Sequence, residues 1–376
     1  MKKTVILGGG AAGLCAAITA ARAGASVTIC EKDDRVGKKI LRTGNGRCNL
    51  SNTHVSPSAY NHPDFVTPVL KEWECNTLRT FFKTLGLYTY EDDAGRIYPV
   101  TDAAASVLDV LRLECAHRNV NIITGFEVAS VTKGLTVTSH DGRVLHADAV
   151  IAATGGGTKP LEKAGLENLR FSPVLCPLKT DLDNIKGLSG IRIDCRAELL
   201  RDGESIVTEE GELLFRDYGI SGIMVFDLSR FTQKGDIISL DLMPSMSKES
   251  LTAELRRREK LFAWREGSDY LAGMFHSRVA QTLLRRAGSR DAVKLAEVIK
   301  NFRLTVLGCG DVKQAQVTRG GLDTTQFDPA TLMCRTIPNL YACGEALDID
   351  GRCGGYNLHW AFASGITAGK LLGGGK

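Results

Sequence analysis

Four residues near the amino terminus, Gly8, Gly10, Gly13 and Glu31, have the types and spacing to hold a diphosphate and the sugar next to it. Gly8-Gly9-Gly10-Ala11-Ala12-Gly13 reads G-x-G-x-x-G. In such a run the first glycine makes a tight turn, the second lets backbone approach a pyrophosphate, and the third lets a helix pack close to a strand. The Glu31 carboxylate would accept hydrogen bonds from both hydroxyls of an adenosine ribose and would repel a 2′-phosphate. Glycine runs also arise by chance in a chain with 40 glycines, so the flanking elements decide the matter. Thr4 to Leu7 is a short apolar strand, Leu14 to Ala23 an Ala-rich helix ended by Gly24, and Ser26 to Cys30 a second strand ending at Glu31. That is a βαβ unit with an acid at its end, and the helix start adds unpaired N–H groups and a positive dipole end. At this point the occupant is either FAD or NAD.

A second constellation lies over three hundred residues further on. Leu340 to Cys343 is an apolar strand, Gly344-Glu345 a turn with a carboxylate, and Gly354-Gly355-Tyr356-Asn357 leads into a helix over Leu358 to Leu372. Glu345 can bond a ribityl hydroxyl, and the N–H groups around Gly355 to Leu358 can favour negative charge at a flavin edge. A single NAD site does not need this second helix start, whereas a long FAD does.

Between the two lie further candidates. Lys32 to Asn52 is a basic loop rich in glycine and asparagine, holding Arg42, Gly44, Asn45 and Cys48. It reads either as an anion-friendly concavity along an extended ligand or as a solvated surface loop. Cys48 is either a packed thiol or one placed near a redox centre. Asp148 to Gly156 is a buried parallel strand ending in Thr154-Gly155-Gly156, where backbone would come close to a cofactor. Candidates for catalysis are Cys48, Asn45, Tyr356, Asn357 and His359. For His359 the competing reading is a histidine ordered inside a packed helix.

The elements organise around these sites as an α/β protein: a Rossmann-type FAD-binding domain, with a βαβ first unit and a βββ meander over 126–147, an inserted β-rich domain and a helical domain. The expected boundaries are 1–171 with 315–376 for the FAD-binding domain, 172–246 for the β domain and 247–314 for the helices. In the β domain, Tyr218 to Ile223 is expected to be a glycine-hinged loop, and Tyr270 to Ala287 a single helix in the next. The 376 residues are 43% hydrophobic and 24% charged with a net charge of +4, ordinary for a soluble protein and no argument for nucleic acid or an anionic membrane. Arg256-Arg257-Arg258 is read as a solvated helix face, since no aromatic residues alternate with it. Eleven cysteines, an odd number with no C-x-x-C, give no disulfide framework, no metal site and no dithiol motif. No apolar run reaches the length of a membrane span. The strand begins directly after Lys3, so no signal peptide is expected and the protein is expected to be cytoplasmic.

Several runs appear together and in order: G-G-G-A-A-G, T-G-N-G-R-C-N-L-S-N, G-R-I-Y-P, A-A-T-G-G and C-G-E-A-L-D-I-D-G-R-C-G-G-Y-N-L-H-W-A. Over essentially the whole chain this resembles the bacterial BaiN-type flavoproteins, also grouped as aminoacetone-oxidase-like FAD-dependent oxidoreductases. By position, the resemblance implies FAD contacts from Gly8, Gly10, Ala12, Gly13, Glu31, Lys32, Arg42, Asn45, Cys48, Gly155, Gly344, Glu345, Gly355 and Asn357, to which the patterns add Gly44, Thr154, Gly156, Gly354 and Leu358. One departure is Arg216-Asp217-Tyr218, where the family commonly has a threonine before its G-I-S-G loop, so no substrate contact transfers there. The expected activity is hydride transfer at flavin N5 to or from a small organic substrate. No second G-x-G-x-x-G follows a strand, since Gly155-Gly156-Gly157 runs into Pro160. NAD(P)H would therefore either dock transiently as donor or not be used at all. The alternatives are an oxygen-using amine or aminoketone oxidase releasing hydrogen peroxide, and a flavoprotein acting on RNA or as a redox sensor.

Overall fold

The structure, a computed structural model, describes residues 1–310 and 314–372. Residues 311–313 and 373–376, within the stretches assigned above to the helical and FAD-binding domains, lie outside the described residues. By its contacts the chain divides into two units, Met1–Ser172 with Val317–Lys376, and Pro173–Gln316.

The first unit opens with β1 (Lys3–Leu7), α1 (Ala11–Arg22) and β2 (Ser26–Cys30). Thr4 to Leu7 are all buried, as expected of a strand covered on both faces of a parallel sheet. There follow β3 (Ser51–Asn52), the helices α2 (Pro63–Glu72) and α3 (Cys75–Thr84), and β4 (Thr89–Glu91) with β5 (Arg96–Pro99). These three strands form a small sheet in the order β3-β5-β4. Next come α4 (Ala104–His117) and β6 (Asn121–Ile123). The predicted meander is present as β7 (Val128–Val131), β8 (Thr136–Ser139) and β9 (Val144–His146), antiparallel throughout. After β10 (Ala149–Ala152) the chain leaves along β11 (Asn168–Val174).

The second unit is a closed six-stranded barrel with helices attached. Its elements are β12 (Leu178–Thr180), β13 (Arg192–Arg201), β14 (Glu204–Arg216), β15 (Gly219–Ser221), α5 (Ile223–Ser229) and β16 (Ile237–Asp241). Then come α6 (Lys248–Leu261), α7 (Ser277–Ala287), α8 (Ala292–Lys300) and β17 (Phe302–Cys309). In β13 the side chains alternate, with Cys195, Ala197 and Leu199 buried against exposed Arg192, Asp194 and Arg196, the pattern of a barrel wall. The predicted loop at 218–223 is instead β15 followed directly by α5. Gly222, at φ +118°, makes the junction, and a Cβ there would meet the Glu212 carbonyl at 2.5 Å. The expected helix from Tyr270 starts only at Ser277, because left-handed Gly273 breaks the stretch. The helices are inserted between β16 and β17, which pair with each other, so Leu251, Leu283 and Leu295 share one core with barrel residues such as Phe215 and Leu240.

The chain re-enters the first unit through β18 (Val317–Leu322), which pairs with β11, then forms β19 (Leu340–Ala342) and α9 (Tyr356–Lys370). The central sheet is parallel in the order β19-β10-β1-β2-β6. Small residues let α1 and α9 pack backbone to backbone. A Cβ on Gly365 would strike the Ala12 carbonyl, and one on Gly369 would strike that of Ala16.

Candidate cofactor and active site

The first half of the site is the turn from β1 into α1. Gly8 has φ +101° and a Cβ there would lie 2.5 Å from the Ala153 carbonyl oxygen, while a Cβ on Gly13 would strike the Gly8 carbonyl. Neither position admits a side chain, so strand, turn and helix meet at backbone distance. Gly10 is the N-cap of α1, with no side-chain cap, no acid in the first turn and open space where its side chain would stand. The first-turn amides therefore present donors and the positive dipole end without a protein carboxylate to neutralise them. Buried Glu31 accepts from the N–H of Gly9 at 2.8 Å and of Asp33 at 2.9 Å. A carboxylate has about four acceptor sites, so both oxygens keep capacity for a ribose. Lys32 is exposed at its side.

The second half is built from the far end of the chain. Gly344 has φ +63° and would place a Cβ 2.9 Å from that of Ala12, so the two glycine turns are in contact. Its N–H donates to Ser364 Oγ at 2.9 Å, and its carbonyl accepts from Trp360 Nε1 at 3.1 Å. Glu345 accepts from the Thr318 N–H at 2.8 Å and from the Lys39 ammonium. The side of Gly155 faces the same carboxylate at 3.7 Å, and that of Gly156 faces Thr318 Oγ1 at 3.6 Å. Thr154 is half-buried at the start of that turn. Lys39 and Thr318 are site residues that the sequence patterns missed. The salt bridge Lys39–Glu345 joins residues too distant in sequence for spacing to reveal.

At the start of α9, Gly355 caps the helix at φ +107° with no side-chain cap and no acid in the first turn. A Cβ there would strike the Ser51 carbonyl and lie 2.8 Å from Asn49 Oδ1, and that oxygen is buried without a hydrogen-bond partner. Gly354 at φ +110°, Tyr356 and Leu358 are half-buried around it. A second uncapped helix start, beside an acceptor that lacks its donor, fits the N–H and anionic edge of a flavin. Together with the α1 turn and Glu31, it fits FAD.

The proposed catalytic residues divide. Asn357 braces the loop before α9: its Oδ1 accepts from the Gly351 N–H at 2.8 Å, and its Nδ2 donates to the carbonyls of Gly351 at 2.9 Å and Arg352 at 3.2 Å. His359 is fully buried, with Nε2 2.8 Å from the Trp73 carbonyl and Nδ1 2.8 Å from Ser51 Oγ. A carbonyl only accepts, so Nε2 carries the proton and Nδ1 accepts from the serine. Burial holds the imidazole down to about 4, outweighing the Trp73 carbonyl. Its catalytic assignment is corrected: both nitrogens are engaged and the ring is neutral. Cys48 is also buried, and burial pushes its thiol up to about 12 despite a hydrogen bond with Thr43. It is a packed thiol rather than a nucleophile. Asn45, at φ 54°, and Arg42 are exposed, Gly44 lies between them at φ +55°, and Tyr356 accepts at its carbonyl from the Tyr60 hydroxyl at 2.9 Å.

One further network is built on the run D-I-D-G-R, Asp348 to Arg352. Asp348 accepts from the Gly320 N–H at 2.7 Å and pairs with His62 Nε2 at 2.9 Å. Asp350, fully buried, receives both Nε and a terminal nitrogen of Arg319 at 2.6 and 2.9 Å. The hydrogen bond to Asp348 raises the half-exposed His62 above its ordinary value. Burial pushes Asp348 up, but His62 and the Gly320 N–H outweigh it and leave the carboxyl low. Asn61 ties the two aspartates together, donating to the Asp348 carbonyl at 3.1 Å and accepting from the Asp350 N–H at 2.9 Å. Among the described residues no cluster of His, Cys, Asp or Glu could hold a metal, and no helix is long and apolar enough to cross a membrane.

Comparison with known proteins agrees with this layout. The sequence pattern described as HI0933-like protein Rossmann domain matches residues 2–371. A 3-dehydro-bile acid delta(4,6)-reductase of Clostridium scindens is 34% identical, over 98% of this chain and 98% of its own. A ribosomal RNA dihydrouridine synthase of Escherichia coli is 29% identical, over 96% of this chain and 95% of its own. In fold, the chain is similar to 3-ketosteroid delta1-dehydrogenase from Sterolibacterium denitrificans, at 13% identity and a TM-score of 0.53, covering 99% of this chain and 100% of that one.

Proposed function

The chain belongs to the HI0933-like Rossmann family and is an FAD-dependent oxidoreductase, and from that premise we propose that it saturates a carbon–carbon double bond conjugated to a carbonyl. The observation that supports it is the contact of the Gly344 turn with Ala12 in the first turn of α1, which joins two distant stretches into one extended cradle. The direction of the reaction is supported by the relatives. Both a 3-oxo bile acid reductase and a uridine reductase add hydrogen across a double bond polarised by a carbonyl.

In this reading the amides of Gly10 to Gly13 hold the diphosphate of FAD, Glu31 its adenosine ribose, and Glu345, Thr318 and Lys39 its ribityl chain. The first turn of α9 and Asn49 Oδ1 hold the flavin edge. When bound, FAD supplies hydride at N5, recharged by NAD(P)H that docks transiently. Asn45 and Tyr356 meet the substrate. His62, whose pKa the hydrogen bond to Asp348 raises, carries on its imidazole the proton that completes saturation, a task neutral His359 and the Cys48 thiol are unsuited to at neutral pH.

The second reading specifies the acceptor as a uridine of RNA, whose C5–C6 double bond is conjugated to its C4 carbonyl. It is favoured by two relatives named ribosomal RNA dihydrouridine synthase, the E. coli protein and one from Haemophilus influenzae at 27% identity over 96% of this chain. The test is anaerobic. NADPH or NADH should bleach the flavin, and a conjugated 3-oxo steroid or a uridine-containing RNA should restore its colour, with a product two mass units heavier. A flavin that both nicotinamides leave oxidised, or that neither acceptor reoxidises, sinks the proposal.

A further inference from the structure

The end of α6 carries a stack of guanidinium and aromatic planes that ends at an open indole. Arg258 lies 4.9 Å from the Phe262 ring centroid on that helix's last turn, and Arg265 lies 4.0 Å from the same ring. Arg265 is in turn 5.0 Å from the Trp264 ring. Hydrogen bonds to backbone fix the inner layer, since Arg258 donates to the carbonyls of Tyr270 at 2.9 Å and Ala272 at 2.6 Å. Trp264 is 75% exposed. Arg256 and Lys260, one turn apart on α6, are exposed on the adjoining helix.

A lone surface leucine needs no explanation, whereas an indole three-quarters exposed beside the Arg265 guanidinium presents a broad flat face to solvent. Indole and guanidinium planes are the surfaces on which unpaired nucleobases stack, and every base has such a face. The cations beside it match the charge of a phosphate backbone. An acidic protein would use the charges and leave the flat ring unused. The tri-arginine run gave no such signal in sequence because its aromatic partners follow it rather than alternate with it.

We propose that the Trp264–Arg265 surface at the end of α6 binds single-stranded RNA, with a base stacked on the indole and the backbone on Arg256 and Lys260. This rests on the second reading above, in which the acceptor is a uridine of RNA.

The test uses the full-length holoprotein, a fluorescently labelled oligouridine and anisotropy over a range of salt. Trp264→Ala should weaken binding about tenfold, the scale of one lost base–aromatic stack, and Trp264→Phe should recover most of it. Replacing Arg256 and Lys260 with alanine should lower the slope of log affinity against log salt by about 0.7 for each cation removed. Since the indole is exposed, thermal melting should not move in Trp264→Ala. The proposal is overturned if the wild type does not bind oligouridine, if Trp264→Ala binds equally well, or if polyglutamate competes as effectively as RNA. Any of these with flavin still reoxidised by a conjugated 3-oxo steroid removes this surface alone. Loss of reoxidation by every conjugated acceptor removes the function beneath it.

Discussion

The imidazole of His359 accepts the Ser51 hydroxyl at Nδ1 and donates to the Trp73 carbonyl at Nε2, each at 2.8 Å. This relationship ties the first turn of α9 to β3 and to the end of α2, and burial holds the ring neutral.

Stability should therefore depend on pH. The folded pKa of His359 is depressed from 6.5 to about 4, so the unfolded chain binds the proton first as pH falls. The contribution is fully present above about 6.5, is lost progressively between there and about 4, and does not change further below. The loss is on the order of 3 kcal/mol. Urea melts across this window should show the slope, and His359→Gln should flatten it.

The glycine turn offers a sharper test. In Gly13→Val the new side chain would strike the Gly8 carbonyl, so the α1 amides would move away from where a diphosphate sits. Overpacking of this kind costs about 1–3 kcal/mol. The variant should purify with little or no flavin, seen as loss of visible absorbance, and melt at lower temperature.

Glu31→Gln keeps the shape but removes the charge that, on the proposed reading, stands behind two ribose hydrogen bonds. FAD affinity should fall about tenfold, read by flavin fluorescence quenching on titration into the apoprotein.

Residues held by local backbone demands were legible in the sequence, and those held by distant partners were not. Gly8, Gly13 and Gly344 declare themselves because no other residue fits, and Glu31 sits where the end of a second strand must put it. The Lys39–Glu345 and His62–Asp348 pairs span 306 and 286 residues, and no periodicity encodes such meetings. Gly219 to Ser221 has the composition of a loop, yet the barrel recruits it as a strand between β12 and β14. At His359 the sequence leaves a catalytic group and a histidine ordered inside a packed helix both open, and only its two partners distinguish them.

His62 should separate the two half-reactions. His62→Ala is expected to leave NAD(P)H-driven bleaching of the flavin near wild type and slow reoxidation by a conjugated acceptor roughly a hundredfold. With the wild type, reoxidation should fall as pH rises through the raised pKa of His62, where the imidazolium loses its proton. Stopped-flow absorbance of each half-reaction decides it, and equal slowing of both would remove His62 from the proton's path.

The thiols differ in reactivity. The hydrogen bond with Cys176 pulls half-exposed Cys309 below the ordinary thiol value, while burial holds Cys48 at about 12. Iodoacetamide at neutral pH should label Cys309 well before Cys48, as peptide mass spectrometry would show.

The insertion of three helices between β16 and β17 has a consequence for biogenesis. Leu178 of β12 pairs with Cys309 of β17, so one edge of the barrel's first stave must wait until the last has emerged from the ribosome. The wait repeats at larger scale in the first unit, where β10 remains an open edge until β19 arrives. Between the synthesis of β12 and that of β17 a nascent chain of this protein therefore carries two unfinished sheets, with open strand edges of the kind that chaperones shield.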